Sequence, residues 1–169
     1  HHLPDLFRQP FLGMYYRPVV MFSFMVDYAV WGLKPWGYHL TNLLLHAANA
    51  YIVFLLFANF VQSRKAALVA VLLFSVHPVH KGVVAIADRT GILSAFFFLL
   101  SVLLYIAYRR RAGRRNITVF YLGTLGFCAL AFFSKEETLA LPLVVLVLDW
   151  LLLSEKRSIR AIFWRILPF

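Results

Sequence analysis

From Gly91 to Tyr108 the chain runs without one charged side chain and then turns abruptly to Arg109-Arg110-Arg111. A helix needs about 20 mostly apolar residues to cross a hydrocarbon layer roughly 30 Å thick, so this run is close to a membrane span. Four more apolar stretches are bounded in the same way by charge, proline or glycine, which gives candidate spans at 39–61, 66–78, 91–108, 117–133 and 137–153. The second is short for a crossing unless it extends through His77-Pro78 or is shielded by its neighbours. With 62% hydrophobic and only 14% charged residues, a 169-residue soluble fold could not cover its surface. The fold expected is therefore all-α: a polytopic transmembrane helix bundle of about five spans, with the lipid bilayer as its solvent.

The formal net charge of +10 does not point to nucleic acid, because the basic residues stand at the ends of apolar segments. Arg64 and Lys65, then Arg109 to Arg115, then Lys156 to Arg165 form three basic loops, and they alternate with the mixed loops His77 to Arg89 and Ser134 to Glu137. The positive-inside rule then sets the basic loops in the cytoplasm and the mixed ones outside. Residues 1–38 form an extracytoplasmic segment in which Pro4, Pro10, Pro18 and Pro35 punctuate an aromatic-rich stretch, and Val19 to Leu33 reads as a helix lying at the membrane surface. The bundle follows over 39–157, and 158–169 reads as a cytoplasmic approach to a further span. The lone Cys128 excludes a disulfide framework. No signal peptide opens the chain, whose expected status is a piece of a longer protein.

Polar groups at membrane depth need a reason. His39, Asn42, His46 and Asn49, spaced by three, four and three, fall on one helical stripe, which lines a polar cavity or serves as hydrogen-bonding glue between helices. The first mixed loop gathers His77, His80, Lys81, Asp88 and Arg89. Lys81 and Arg89 suit a phosphate, or Asp88 merely neutralises one of them. His77 and His80 offer a divalent metal only two ligands, so no metal site or certain cofactor is assigned, a divalent ion remaining the one candidate. In the second mixed loop, Glu136 and Glu137 diverge by about 100° on a helix, so only one can aim inward; either also suits the positive end of the following helix. Pro142 should kink the fifth span, and Asp149 should reach the interface or a loop arginine.

Tyr16-Arg17-Pro18, Trp36-Gly37-Tyr38-His39-Leu40-Thr41-Asn42 running on to His46, His77-Pro78-Val79-His80, Arg89 and Ser134-Lys135-Glu136 occur in an order and at separations that resemble the membrane part of the transmembrane and tetratricopeptide-repeat O-mannosyltransferases and their bacterial relatives. That family is similar in fold to the GT-C glycosyltransferases. The resemblance covers about Leu6 to Leu153. It implies transfer of a sugar, of mannose type, from a polyprenyl-phosphate carrier to a protein acceptor on the face away from the cytoplasm, in a bacterial inner membrane or the endoplasmic reticulum. It also implies repeats further along the complete protein. The family's catalytic acidic pair belongs upstream of the Tyr-Arg-Pro block, so it falls before His1. Lys81-Gly82 and Thr90 stand where many relatives carry a glutamate and an aspartate.

The chemistry of such an enzyme needs cations to hold the carrier phosphate and a carboxylate to take the acceptor proton. The expected substrate contacts are Arg17, Asn42, Lys81 and Arg89, with His39, His46, His77 and His80 lining the cavity; Asp88 and Glu136 are the candidate catalytic carboxylates. Two rival expectations use the same residues: a non-catalytic membrane scaffold, and a transporter or flippase for a polar lipid or solute. Against the latter, the chain shows no internal repeat.

Overall fold

The computed structural model describes residues 16–61, 63–77, 85–110 and 117–150, and among them every regular element is helical. The elements are α1 (Pro18–Trp31), α2 (Pro35–Phe60), α3 (Arg64–Val76), a 3₁₀ turn at Ile86–Asp88 leading into α4 (Arg89–Arg110), α5 (Ile117–Phe132), and a second 3₁₀ turn at Glu136–Ala140 leading into α6 (Leu141–Leu148).

The helix boundaries follow local chemistry. Proline occupies the first turn of α1, α2 and α6, where a missing N–H costs nothing and the fixed φ suits a helix. Pro142 thus starts a helix after the 3₁₀ turn and does not kink a span that begins at 137, as the sequence suggested. The surface helix expected to Leu33 ends at Trp31 because Gly32 takes φ +61, and its N–H closes on the Tyr28 carbonyl at 2.8 Å. Ser63 caps α3 by accepting the Ala66 N–H at 3.3 Å.

The polar contacts between helices fix their directions. Asn42, Asn49 and Asn59 on α2 meet Ala85, Ile92 and Arg110 in that order, so α2 and α4 run parallel. Phe97 with Phe127 and Tyr108 with Tyr121 set α5 antiparallel to α4. Between them, Ser101 Oγ, fully buried, donates to the Thr124 carbonyl at 2.9 Å. Arg109 at the end of α4 meets Asp149, just past α6, one of the two outcomes the sequence left open for that carboxylate. Among the buried hydrophobic residues, Tyr105, Leu141 and Val145 form one cluster, with Phe98, Tyr108 and Cys128 packed around them.

Helices Pro35–Phe60 and Ile86–Arg110 are long and apolar enough to cross a membrane. At 1.5 Å per residue α2 reaches about 39 Å, whereas α3 reaches only about 20 Å and α5 about 24 Å. Among the described residues two helices reach the length of a crossing; the 66–78 and 117–133 stretches are helical but shorter, and the end of 137–153 lies outside the described residues. Only 22% of the most apolar part of α2 is buried among the described residues, so most of its apolar surface faces outward. Its outward residues, Leu43, Leu44 and Tyr51, join Leu68, Leu72 and Leu73 of α3 in an exposed apolar flank that suits lipid. α2 also runs unbroken across the expected boundary between residues 38 and 39.

Candidate functional site

The parallel and antiparallel helices give the molecule two polar ends. One carries Arg64, Lys65, Arg109 and Arg110; the other gathers Arg17, Asp27, Asp88, Arg89 and Glu136 at the starts of α2 and α4 and beyond the end of α5. Helix α1 lies across this second end. Its N-cap residue Arg17 reaches Glu136, Asp27 reaches Arg89, and Trp31 packs on Trp36 and over Gly37.

The site splits into an open half and a closed half. In the open half, Arg17 Nη2 donates to both carboxylate oxygens of Glu136, at 2.8 and 3.0 Å. The Arg17 side chain is 11% exposed while Glu136 is 53% exposed, so the guanidinium is sheltered and its partner faces outward. The Glu136 carboxyl sits below its ordinary value, chiefly through a hydrogen bond from its own backbone and then through Arg17. Glu137 turns away to Lys135 at 2.9 Å, as expected of adjacent glutamates. The 3₁₀ turn that carries Glu136 also carries Thr138, which with Leu125, Cys128, Phe132 and Pro142 lines an apolar cavity of about 320 Å³ against α5.

In the closed half, Arg89 is fully buried. Its Nη2 donates to Asp27 Oδ2 at 2.6 Å and to the Tyr38 carbonyl at 3.1 Å, its Nε donates to Asn42 Oδ1, and its guanidinium carbon lies 5.1 Å from the centre of the Phe24 ring. Asp27 Oδ1 accepts from Thr41 at 2.8 Å, and Asn42 Nδ2 donates to the Ala85 carbonyl at 3.1 Å. Burying a charge is tolerable only when it is paired and hydrogen-bonded in this way. Of the three guanidinium nitrogens of Arg89, Nη1 is the one without a hydrogen-bond partner among the described residues.

Of the residues singled out from sequence, the structure joins Arg17 to Glu136 and Asn42 to Arg89. It does not keep the stripe on α2 together. Asn42 and Asn49 are buried, His39 is exposed, and His46 turns to α3, where its Nε2 lies 3.3 Å from the Ser75 carbonyl and its ring stacks on Phe74. Spacings of three and four leave His39 and Asn42 about 60° apart around the axis, enough to put one in the packing and one outside it. Asp88 is exposed and is not the partner of Arg89; His77 is exposed at the end of α3. His80 and Lys81 lie outside the described residues. Among the described residues no group of three or more His, Cys, Asp or Glu gathers into a metal site.

Sequence reasoning missed Asp27. The available signal was that it is the only acid between Asp5 and Asp88 and stands in an apolar helical stretch, where an ionisable side chain needs a partner.

Comparison with known proteins gives the relatives of the chain. Its relatives are protein O-mannosyl-transferases. The chain is 38% identical to mouse protein O-mannosyl-transferase TMTC2 over 144 residues, covering 79% of this chain and 16% of the relative. It is 37% identical to Drosophila melanogaster Tmtc1 over 102 residues, covering 60% and 12%, and 33% identical to human TMTC3 over 122 residues, covering 67% and 13%. The chain thus spans between 12% and 22% of the length of the O-mannosyl-transferases it matches. No family model and no solved structure matches it.

Proposed function

We propose that this chain is part of a membrane O-mannosyl-transferase of the TMTC type, with a GT-C-like helix bundle, and that it serves transfer of a mannose-type sugar from a polyprenyl-phosphate carrier to a protein hydroxyl. The observation that carries the reading is the ion pair of Arg17 with Glu136 at the mixed-charge end, in a chain similar to O-mannosyl-transferases over most of its own length. By the positive-inside rule the end with Arg64, Lys65, Arg109 and Arg110 is cytoplasmic, and the Arg17–Glu136 end faces the lumen or periplasm.

In this reading the sheltered Arg17 guanidinium takes two phosphate oxygens of the donor, a geometry that suits its planar fork. The apolar cavity beside Thr138 takes the first isoprenoid units of the carrier. The acceptor hydroxyl attacks the anomeric carbon and loses its proton to a carboxylate. The bond from that carbon to the phosphate oxygen breaks, and the carrier phosphate leaves with the electron pair. Single displacement inverts the anomeric centre. Glu136, paired with Arg17, is the carboxylate to which this reading assigns the proton. His77, His80 and Lys81 belong to the same mixed-charge end in this reading, with the lysine as a second phosphate contact.

The test is transfer of labelled mannose from polyprenyl-phosphate-mannose by membranes carrying the full-length protein. Arg17→Ala should lower transfer by about 10² or more at equal expression, since losing one charge-assisted bidentate contact costs on the order of 3 kcal/mol. Full transfer by Arg17→Ala, or none by the wild type with any polyprenyl-phosphate sugar, overturns the reading.

A further inference from the structure

Arg89 is enclosed by the protein's own groups, with Nη1 alone of its guanidinium nitrogens left without a partner among the described residues. The side chain is fully buried, and Asp27, Asn42, the Tyr38 carbonyl and the Phe24 ring occupy its surroundings. What the cluster does is join three elements: Asp27 belongs to α1, Tyr38 and Asn42 to α2, and Arg89 opens α4.

The same short helix carries Arg17. Asp27 is ten residues beyond it, about 15 Å along a helix axis. Pinning Asp27 to the starts of α2 and α4 sets the direction of α1, and that direction decides whether Arg17 meets the turn after α5. The hold is directional. An apolar contact lets a helix slide, whereas a buried ion pair has one low-energy geometry and a large cost for leaving it.

We infer that Asp27 and Arg89 are a positioning pair, which locks α1 across the end of the bundle and thereby holds Arg17 against Glu136. Neither residue touches the substrate; both act through the placement of Arg17. The catalytic consequence rests on the function proposed above, but the placement of α1 does not.

The experiment reads the two separately in the full-length protein, with Cys128 and any other native cysteine replaced by serine. The rings of Tyr16 and Phe133 lie 6.4 Å apart between centres, so the two positions face each other; among cysteine pairs placed at and beside them, the pair that oxidises readily in the parent reports the seating of α1 by disulfide trapping in native membranes. Asp27→Asn should lower the trapping yield at limiting oxidant by about fivefold or more. Should that variant fail to accumulate, Asp27→Asn with Arg89→Gln, which leaves no lone charge, carries the test with the same expected loss. In these variants KM for polyprenyl-phosphate-mannose should rise about tenfold while kcat changes less. Driving the disulfide to completion in the double variant should restore KM to that of the trapped parent, a rescue that a residue touching the donor would not show. Unchanged trapping in the double variant overturns the positioning pair, and so does a completed disulfide that leaves KM high. Absence of transfer in the wild type would sink the proposed function, while the trapping yields would still decide the inference.

Discussion

Replacing Asp27 with asparagine keeps the shape of the side chain and removes its charge, which isolates what the carboxylate does for Arg89. The guanidinium is fully buried and Asp27 is 6% exposed, so water cannot substitute for the lost partner. Breaking a buried pair by removing one member costs about 3 to 5 kcal/mol, because the remaining charge is left uncompensated. Asn42, the Tyr38 carbonyl and the Phe24 ring stay in place, which favours the lower part of that range. For a bundle of this size each kcal/mol moves the midpoint by about 2 to 4 °C, so the apparent Tm should fall by about 6 to 20 °C. The assay is tryptophan fluorescence during thermal unfolding in a mild detergent. Adding Arg89→Gln should recover more than half of the loss, since the double change removes the lone charge, and a double-mutant cycle measures that coupling. A drop below about 2 °C for Asp27→Asn would refute the reasoning, as would a double variant no more stable than the single one.

Other perturbations probe the same end of the molecule. A Cβ added at Gly37 would stand 2.7 Å from Cβ of Trp31, so Gly37→Ala should push the end of α1 off α2, lowering apparent Tm by several degrees and reducing Tyr16–Phe133 trapping. The folded Glu136 carboxyl titrates below its ordinary value of 4.5, so its pairing with Arg17 is complete above that value and is lost as pH falls through the lower folded one. Dipolar broadening between spin labels at positions 16 and 133 should therefore stay constant from pH 7 to 5 and weaken only in stronger acid; weakening near pH 6 would exclude Glu136 as the controlling group. Ala129→Trp should fill part of the cavity beside Thr138. It should raise KM for a long-chain polyprenyl donor about tenfold and for a one-isoprene analogue much less, and equal effects would remove the cavity from the carrier site.

The sequence by itself determined the class of this protein and the sorting of its charges. Within a bilayer an apolar run as long as Gly91 to Tyr108 must be helical, because no other single segment satisfies its own backbone there. Prolines at 18 and 35 and glycine at 32 act within one or two residues, so the boundaries of α1 and the start of α2 were also close to legible. The joining of Arg17 to Glu136 could be suspected only through the family blocks that contain them, since 119 residues separate the two. Tertiary structure decided the rest. The partner of Arg89 is Asp27, 62 residues away, and not the adjacent Asp88, because α4 begins at Arg89 and turns its side chain inward while Asp88 remains on the exposed turn. His46 left the stripe because α3 packs on that side of α2. A helical period tells which residues share a face, but which neighbour that face meets is a long-range fact, and it fixes which charges are paired in the interior and which are left outside to do chemistry.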